Sequence, residues 1–212
     1  MDPDGLFNES KGEFDRAVRM INEILEEDPE VIDAYAALGI LYTREGKLEK
    51  AIETFGKILD MKPDDHHAVI NISNAYLRLG KVDEAERFIT DRMDYLPPDS
   101  QSYLSLGVIK NLKKEYEEAE RCFMKCIELN PSSASAYSAL GGILIVRNDL
   151  ERAESYLMKA ESINTKLKNL HYNMAQVFEA RGGVRVPQRA GECPSQFQGQ
   201  LQPFPAVPDH GR

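Results

Sequence analysis

Residues 34–63 read AYAALGILYTREGKLEKAIETFGKILDMKP. Apolar side chains recur three and four positions apart in both halves of this segment, and that spacing predicts two amphipathic helices. Gly46 lies between the halves and marks a turn, and Pro63 ends the second half because proline has no amide hydrogen to continue a helix. The segment therefore predicts a pair of antiparallel helices joined by a short turn.

The same pattern recurs along the chain with a period of 34 residues. One series of alanines keeps this interval at Ala17, Ala51, Ala85, Ala119 and Ala153, and a series of prolines keeps it at Pro29, Pro63, Pro97 and Pro131. A constant period of this length indicates one supersecondary unit copied along the chain, and each copy has to stack on its neighbours to bury its apolar face.

If the unit is numbered from Ile32, complete copies span residues 32–65, 66–99, 100–133 and 134–167. Position 8 of each copy is small, and position 24 is large: Gly39, Ser73, Gly107 and Gly141 at position 8, and Phe55, Ile89, Phe123 and Leu157 at position 24. Glycine inside a helix costs about 1 kcal/mol relative to alanine, so its recurrence predicts a close approach of the partner helix. Alanine at position 20 and a large residue at position 24 predict that the second helix packs on the first helix of its own unit.

These residues carry a family resemblance. The segment AYAALGILYTREGKLEKAIETFGKILDMKP and the segment AYSALGGILIVRNDLERAESYLMKA, residues 136–160, resemble the tetratricopeptide repeat over most of their length. The resemblance covers roughly residues 5–182. It implies an all-α fold, an α-solenoid of antiparallel helix pairs wound into a right-handed superhelix.

Both ends of the array depart from the repeat. Residues 1–31 form a clipped first unit, in which the intact part is a second helix over about Glu13 to Glu27. Residues 168–182 are expected to cap the array as a final first helix, which begins at about Leu167. Residues 183–212 contain five of the eleven prolines and no helical period, so they are expected to form a disordered tail rich in proline, glutamine and glycine.

Composition limits the classes of function. The net charge of −9 argues against nucleic acid as the main partner. No basic N-terminal region precedes an apolar segment, and no stretch of 18 apolar residues occurs, so no membrane association is expected. Three cysteines cannot make a paired disulfide framework, which favours a reducing, cytoplasmic location.

Positions 2, 5, 9, 12 and 13 of the first helix lie opposite the apolar stripe that faces the second helix. In tetratricopeptide proteins these positions line the concave face and commonly contact a bound peptide, and the resemblance implies the same groove here. The candidate groove residues are Ile40, Arg44, His67, Ile70, Asn71, Asn74, Leu77, Arg78, Gln101, Leu104, Val108 and Asn111. The corresponding face of the fourth unit carries Ser135, Ser138, Gly142, Ile145 and Val146. The alternative is that positions 5, 12 and 13 are used in packing between neighbouring first helices.

Four asparagines add a second resemblance. Asn71, Asn74, Asn111 and Asn173 are similar to a sparse version of the inner-face asparagines in the superhelix attached to the O-linked N-acetylglucosamine transferase. A side-chain amide donates and accepts hydrogen bonds at once, which suits an extended peptide backbone. The alternative for each is a solvated surface amide.

Other residues favour structural roles. Asp64, Asp65, His66 and His67 lie at the turn after Pro63, where aspartates cap the next helix, so no metal site is expected. Cys126 is expected in the core. Lys110 occupies a normally apolar position with Lys113 close by, and this basic spot is explained either by a side chain that reaches solvent or by an acidic partner.

The sequence has no glycine-rich phosphate loop and no nucleophile motif, so neither a catalytic site nor a cofactor is expected. It predicts a non-catalytic scaffold that binds a peptide segment or helix of another protein. Two alternatives stay open. The chain could be the substrate-presenting portion of a larger enzyme or of a secretion or assembly machine, or it could associate weakly with itself.

Overall fold

The computed structural model describes residues 3–94, 99–167 and 169–182, with side chains from residue 12 onward. Within these ranges the chain forms ten α-helices: α1 Pro3–Glu27, α2 Ile32–Arg44, α3 Leu48–Met61, α4 His66–Arg78, α5 Val82–Met93, α6 Ser100–Leu112, α7 Tyr116–Leu129, α8 Ala134–Val146, α9 Leu150–Ile163 and α10 Leu170–Ala180. The helices stack as antiparallel pairs in a solenoid. The even-numbered helices are the first helices of the predicted units, and the odd-numbered helices are the second.

The residue at position 15 of the repeat, just after each first helix, keeps one backbone conformation. Gly46, Gly80 and Gly182 have φ angles of +73°, +74° and +83°, and the equivalent residues Lys114 and Asn148 have φ angles of 63° and 58°. Glycine adopts this left-handed region without steric cost, whereas in other residues the Cβ atom lies too close to the backbone and raises the energy of this conformation. The third and fourth turns keep the geometry of the repeat although they lack its glycine.

Close contact between paired helices explains the small residue at position 8. A Cβ atom placed on Gly39 would lie 2.6 Å from the ring of Phe55, and one on Gly107 would lie 2.6 Å from the ring of Phe123. Such contacts are shorter than van der Waals packing allows, so glycine is needed wherever a phenylalanine stands opposite. The predicted packing of the second helix on the first is confirmed.

The core follows the seam between the two layers of helices. The alanines at position 20 in α3, α5, α7 and α9 are all fully buried: Ala51, Ala85, Ala119 and Ala153. Phe123 and Cys126 of α7 are also fully buried, as predicted for Cys126. Burial raises the pKa of the Cys126 thiol, which keeps it protonated and unreactive, although Ser133 lies within hydrogen-bonding distance.

The two ends differ from the sequence-based expectation in their helix bounds. The first helix begins at Pro3 and runs for 25 residues, whereas the sequence predicts an intact helix only from about Glu13. The last helix begins at Leu170, slightly later than expected. The predicted disordered tail, residues 183–212, lies outside the described residues, as does Pro97.

Ion pairs between consecutive units recur at an interval of 27 residues. Lys113 Nζ lies 2.5 Å from a carboxylate oxygen of Glu86, and Arg147 lies 2.7 Å from Glu120. Arg181 pairs with Glu154 in the same way. Each base follows the end of a first helix, and each acid lies on the second helix of the preceding unit. The three pairs, termed here the ion-pair ladder, show that the turns of these units lie in register along one edge.

Aspartate side chains cap two of the first helices, and for α4 the sequence predicts this cap. The backbone amide of Ala68 donates to Asp65 Oδ1 at 2.9 Å, and the amide of Ser102 donates to Asp99 Oδ1 at 2.7 Å. Partial burial of the Asp65 carboxyl opposes its charge, but the hydrogen bonds from Ala68 and Lys62 outweigh that cost and lower its pKa. A cap supplies a partner for an amide that the helix itself leaves unpaired.

Replacement of Asp65 by alanine is expected to lower the free energy of unfolding by about 1 kcal/mol, because the Ala68 amide loses its acceptor. Asp64→Ala is the matched control, since Asp64 is exposed and caps nothing in the described structure. Urea denaturation with hydrogen exchange of the α4 amides measures both effects. Equal shifts for the two variants would show that the cap contributes no more than the loss of one surface charge.

Candidate functional site

The first helices form the more closely packed layer of the solenoid. In the described part of the chain, α4 packs on α6, α6 on α8 and α8 on α10, whereas α2 and α4, like consecutive second helices, do not pack closely on one another. Arg78 of α4 also donates a hydrogen bond to the carbonyl oxygen of Thr43 in α2 at 2.7 Å. Closer spacing in one layer bends a stack of helix pairs toward that layer. The exposed face of α2, α4, α6 and α8, termed here the inner face, is therefore the concave side.

The twelve candidate groove residues lie on three consecutive first helices. Ile40 and Arg44 belong to α2, the residues between His67 and Arg78 belong to α4, and those between Gln101 and Asn111 belong to α6. None of the twelve is buried. The exposed ones are Ile40, Arg44, His67, Asn74, Arg78, Gln101, Val108 and Asn111, and the half-buried ones are Ile70, Asn71, Leu77 and Leu104.

Some of these residues contribute to packing between units. Ile70 and Leu77 pack against the core of the first two complete units, and Leu104 packs against the core of the next two. One guanidinium nitrogen of Arg78 donates the hydrogen bond to Thr43 of α2 described above. The alternative interpretation of positions 5 and 12 thus holds in part, because these side chains join neighbouring helices while one side of each stays accessible.

Apolar side chains remain exposed toward the ends of α6 and α8. Val108 is 38% exposed, Leu112 is 55% exposed and Val146 is 62% exposed. Leu112 and Val146 occupy position 13 of their units, as Arg44 and Arg78 do, so the 34-residue interval already predicts both on this face. Large apolar side chains left in water at neighbouring repeat positions are typical of an interaction surface.

One residue of the expected outward face is buried. The sequence predicts that Ser138 of α8 faces the groove, but it is only 7% exposed. The angle around a single helix does not show which positions the neighbouring units cover. Gly142, one turn later, lies close to Asn173 of α10, so α10 covers this part of α8.

Charge is distributed unequally along the inner face. The part formed by α2 and α4 carries Asp33, Arg44, His67 and Arg78. The same positions of α6 and α8 carry no charged residue at all in a chain that is 29% charged. A partner would therefore meet an uncharged surface on α6 and α8 and polar, mainly basic groups on α2 and α4.

Two amides of the inner face are available to a partner. The carboxamides of Asn74 and Asn111 are exposed, and within the part of the chain that the structure describes they make no hydrogen bond. Asn71 and Asn173 are half-buried. An exposed amide without an internal partner can pair with the N–H and C=O groups of an extended chain.

The basic spot at Lys110 is occupied by the protein's own carboxylates. Lys110 Nζ lies 2.5 Å from Glu86, 2.6 Å from Glu115 and 2.8 Å from Glu118. Burial opposes the charge on Lys110, but these three hydrogen bonds outweigh it and raise its pKa. Hydrogen bonds from Lys110 and then Lys113 hold the pKa of Glu86 below its ordinary value. Lys110 is therefore an internal link between α5, α6 and α7.

The residues considered as metal ligands do not assemble into a site. Among the described residues, no group of three or more histidine, cysteine or acidic side chains could hold a metal ion. Asp65 instead caps α4, and His66 Nδ1 lies 4.0 Å from Asp99. No helix in the described ranges is both long and apolar enough to cross a bilayer.

Sequence comparison identifies the class of protein that this fold and surface define. The tetratricopeptide repeat family matches residues 10–67 and 43–106, and a second description of the same repeat matches residues 100–133. Together these matches span more than half of the chain. The chain belongs to the tetratricopeptide repeat family, whose members are generally non-catalytic scaffolds for protein interaction. No curated protein sequence resembles the chain closely enough to count as a match.

Solved structures share the fold at low sequence identity. TTC0263, a thermophilic protein of Thermus thermophilus, superposes with a TM-score of 0.65 at 20% identity, over 82% of this chain and 95% of that one. PilW, a type IV pilus biogenesis factor, gives a TM-score of 0.69 at 20% identity, over 84% of this chain and 83% of its own. YrrB, a tetratricopeptide repeat protein with an unusual peptide-binding site, gives a TM-score of 0.56 at 18% identity, over 76% of this chain and 84% of its own. At these identities the likeness concerns the fold alone.

Proposed function

We propose that the protein is a non-catalytic scaffold that binds a segment of another protein on the inner face of α2, α4, α6 and α8. The observation that carries the proposal is the row of exposed apolar side chains at Val108, Leu112 and Val146. Water-exposed valine and leucine cost stability and solubility, and a partner that covers them gains about 25 cal/mol for each Å² of apolar surface buried.

The geometry supports an extended segment as the ligand. The carboxamides of Asn74 and Asn111 lie on the neighbouring first helices α4 and α6 and are free to pair with a peptide backbone. Arg44 and Arg78 are exposed at the α2 and α4 end and favour an acidic group on that side of the ligand. YrrB, which shares the fold, is described as having a peptide-binding site.

The proposal predicts that acidic residues on the inner face abolish partner capture. The double variant Val108→Glu and Leu112→Glu places two carboxylates where a bound apolar ligand would exclude water. The amount of captured partner protein is therefore expected to fall at least about tenfold. Both side chains are exposed, so the helices should remain folded. Affinity purification of the full chain from cell extract, followed by quantitative mass spectrometry, measures the loss.

A matched control tests whether the inner face itself is responsible. Met124 and Leu129 of α7 are 37% and 54% exposed on the outer layer, so Met124→Glu with Leu129→Glu makes the same kind of change there. This control is expected to keep the captured proteins of the unaltered chain. If the inner-face variant stays helical and captures the same proteins in the same amounts, the groove assignment is wrong.

Two other functions remain outcomes of the same experiment. If the captured set consists of subunits of one enzyme or assembly machine, the chain presents segments to that machine. If the chain mainly captures itself, and the inner-face variant abolishes this, the groove mediates self-association. A cytoplasmic location is part of the proposal, because free Cys122 and Cys126 suit a reducing compartment.

A further inference from the structure

The uncharged part of the inner face lies beside the point where the C-terminal segment leaves the array. The last described residues, Arg181 and Gly182, follow α10. The ion-pair ladder places Arg181 on the same edge as Lys113 and Arg147, which directly follow Leu112 and Val146. Leu112 and Val146 are therefore exposed on the edge from which residues 183–212 start.

The composition of that segment matches the uncharged surface. Residues 194–208 read PSQFQGQLQPFPAVP and contain no charged side chain. Phe197, Leu201, Phe204 and Val207 supply apolar groups, and glutamines separate several of them. The inner face of α6 and α8 likewise has no charge, and its exposed apolar side chains are flanked by polar groups such as Gln101, Asn111 and Ser135. A charged ligand would lose hydration there without gaining a partner.

The length of the chain permits the contact. Residues 183–196 can span about 45 Å when extended. Neighbouring first helices lie about 10 Å apart, so α6 is about 20 Å from α10. Residues 183–196 are therefore long enough to reach from α10 to α6. A segment that continues past α6 would bring Asp209, the first acidic residue after the uncharged stretch, toward His67 and Arg78 on α4.

We propose that residues 194–208 of the chain itself bind across the inner face of α6 and α8 and cover Val108, Leu112 and Val146. The inference rests on the proposed function, because it assigns an intramolecular ligand to the same groove. Binding of this segment competes with a partner protein, which must displace it. A groove that is free for about a tenth of the time binds its partner about tenfold more weakly than a free groove.

The test uses the full chain and its natural Cys193. Cys126 is fully buried, so Cys122→Ser leaves Cys193 as the accessible thiol for a nitroxide spin label. Paramagnetic broadening of the methyl signals then reports which side chains lie near the segment. The methyl signals of Val108, Leu112 and Val146 are expected to lose at least half of their intensity, and those of Leu129 on the outer layer are expected to keep theirs. Equal broadening at Leu129, or none at the inner face, would overturn the proposal.

Further samples test whether the apolar side chains of the segment are responsible and whether the contact forms within one chain. Phe197→Ser, Leu201→Ser and Phe204→Ser together should remove the broadening and raise partner capture several-fold, whereas Gln196→Ser, Gln198→Ser and Gln202→Ser together should change neither. Mixing spin-labelled chains with isotope-labelled chains should give no broadening, and strong broadening in the mixture would mean that the segment binds a second copy and not its own groove.

The outcomes also distinguish this inference from the proposed function. If the inner-face variant Val108→Glu and Leu112→Glu loses partner capture but the spin label broadens nothing on α6 and α8, the groove binds other proteins and the intramolecular contact is refuted. If the broadening is present and capture does not depend on the inner face, the segment covers the groove and the partner-binding proposal fails.

Discussion

The variant Gly107→Ser is expected to lose about 2–3 kcal/mol of unfolding free energy, because the new side chain overlaps the ring of Phe123. A Cβ at this position would lie 2.6 Å from that ring, which is itself fully buried. Serine should also gain slightly over glycine in helix propensity, so the expected loss is a net value.

The second complete unit shows how the loss can be repaired. At the equivalent positions it has Ser73 opposite Ile89, a smaller side chain than phenylalanine, and both are fully buried. Phe123→Ile alone leaves a cavity and is expected to cost about 1–3 kcal/mol. The double variant, Gly107→Ser with Phe123→Ile, should be more stable than the sum of the two single effects by about 1–2 kcal/mol.

Urea denaturation of the four chains that make up this double-mutant cycle measures the coupling, and hydrogen exchange of the α6 and α7 amides locates it. Because repeat arrays unfold through partly folded states, the local amides are the more direct measure. Additive effects in the double variant would show that positions 8 and 24 do not share a contact in solution.

The second large effect is expected at Lys110. Lys110→Glu would place a fourth carboxylate among Glu86, Glu115 and Glu118, at a side chain that is only 15% exposed. Reversal of a partly buried charge in this setting is expected to cost on the order of 3 kcal/mol. Added salt should recover part of the loss, because ions screen the repulsion between the exposed members of the cluster.

Two control variants isolate the electrostatic cause. Lys110→Met removes the charge and keeps the length of the side chain. It should lower the free energy of unfolding by no more than about 1 kcal/mol, because Glu86 retains its ion pair with Lys113. The equivalent residue of the fourth unit is the apolar Leu144, so an apolar side chain fits this position. Lys125→Glu breaks an exposed pair with Glu128 and should change stability by about 1 kcal/mol or less. Thermal unfolding at low and high salt gives all three values. If Lys110→Met were as damaging as Lys110→Glu, packing and not charge would explain the role of Lys110.

Local spacing predicts the part of the fold that arises within one unit. Gly107 and Phe123 are both contained in a single repeat, so small and large residues at recurring positions are sufficient to indicate their contact. The roles of Cys126 and Asp65 are also predictable, since a core position and a helix start depend on near neighbours in the sequence.

Contacts between units are harder to predict. Lys110 finds Glu86 on the second helix of the preceding unit, and the position of Lys110 within its own helix gives no sign of that partner. Ser138 and Leu104 illustrate the same difficulty, because the neighbouring units decide how much of each remains in water. The 27-residue spacing of Lys113 with Glu86 and of Arg147 with Glu120 is a sequence signal for such contacts, and it becomes visible when opposite charges are compared one repeat apart.

The ion-pair ladder also makes the junctions between units chemically different along the array. Its rungs at Glu86, Glu120 and Glu154 join the units from α5 onward, whereas the equivalent positions between the first two complete units hold the uncharged Ile52 and Leu79. Salt screens the charged pairs, whereas Ile52 and Leu79 have no charge to be screened. Added salt is therefore expected to loosen the junctions between units from α5 onward and to have less effect on the junction between the first two complete units.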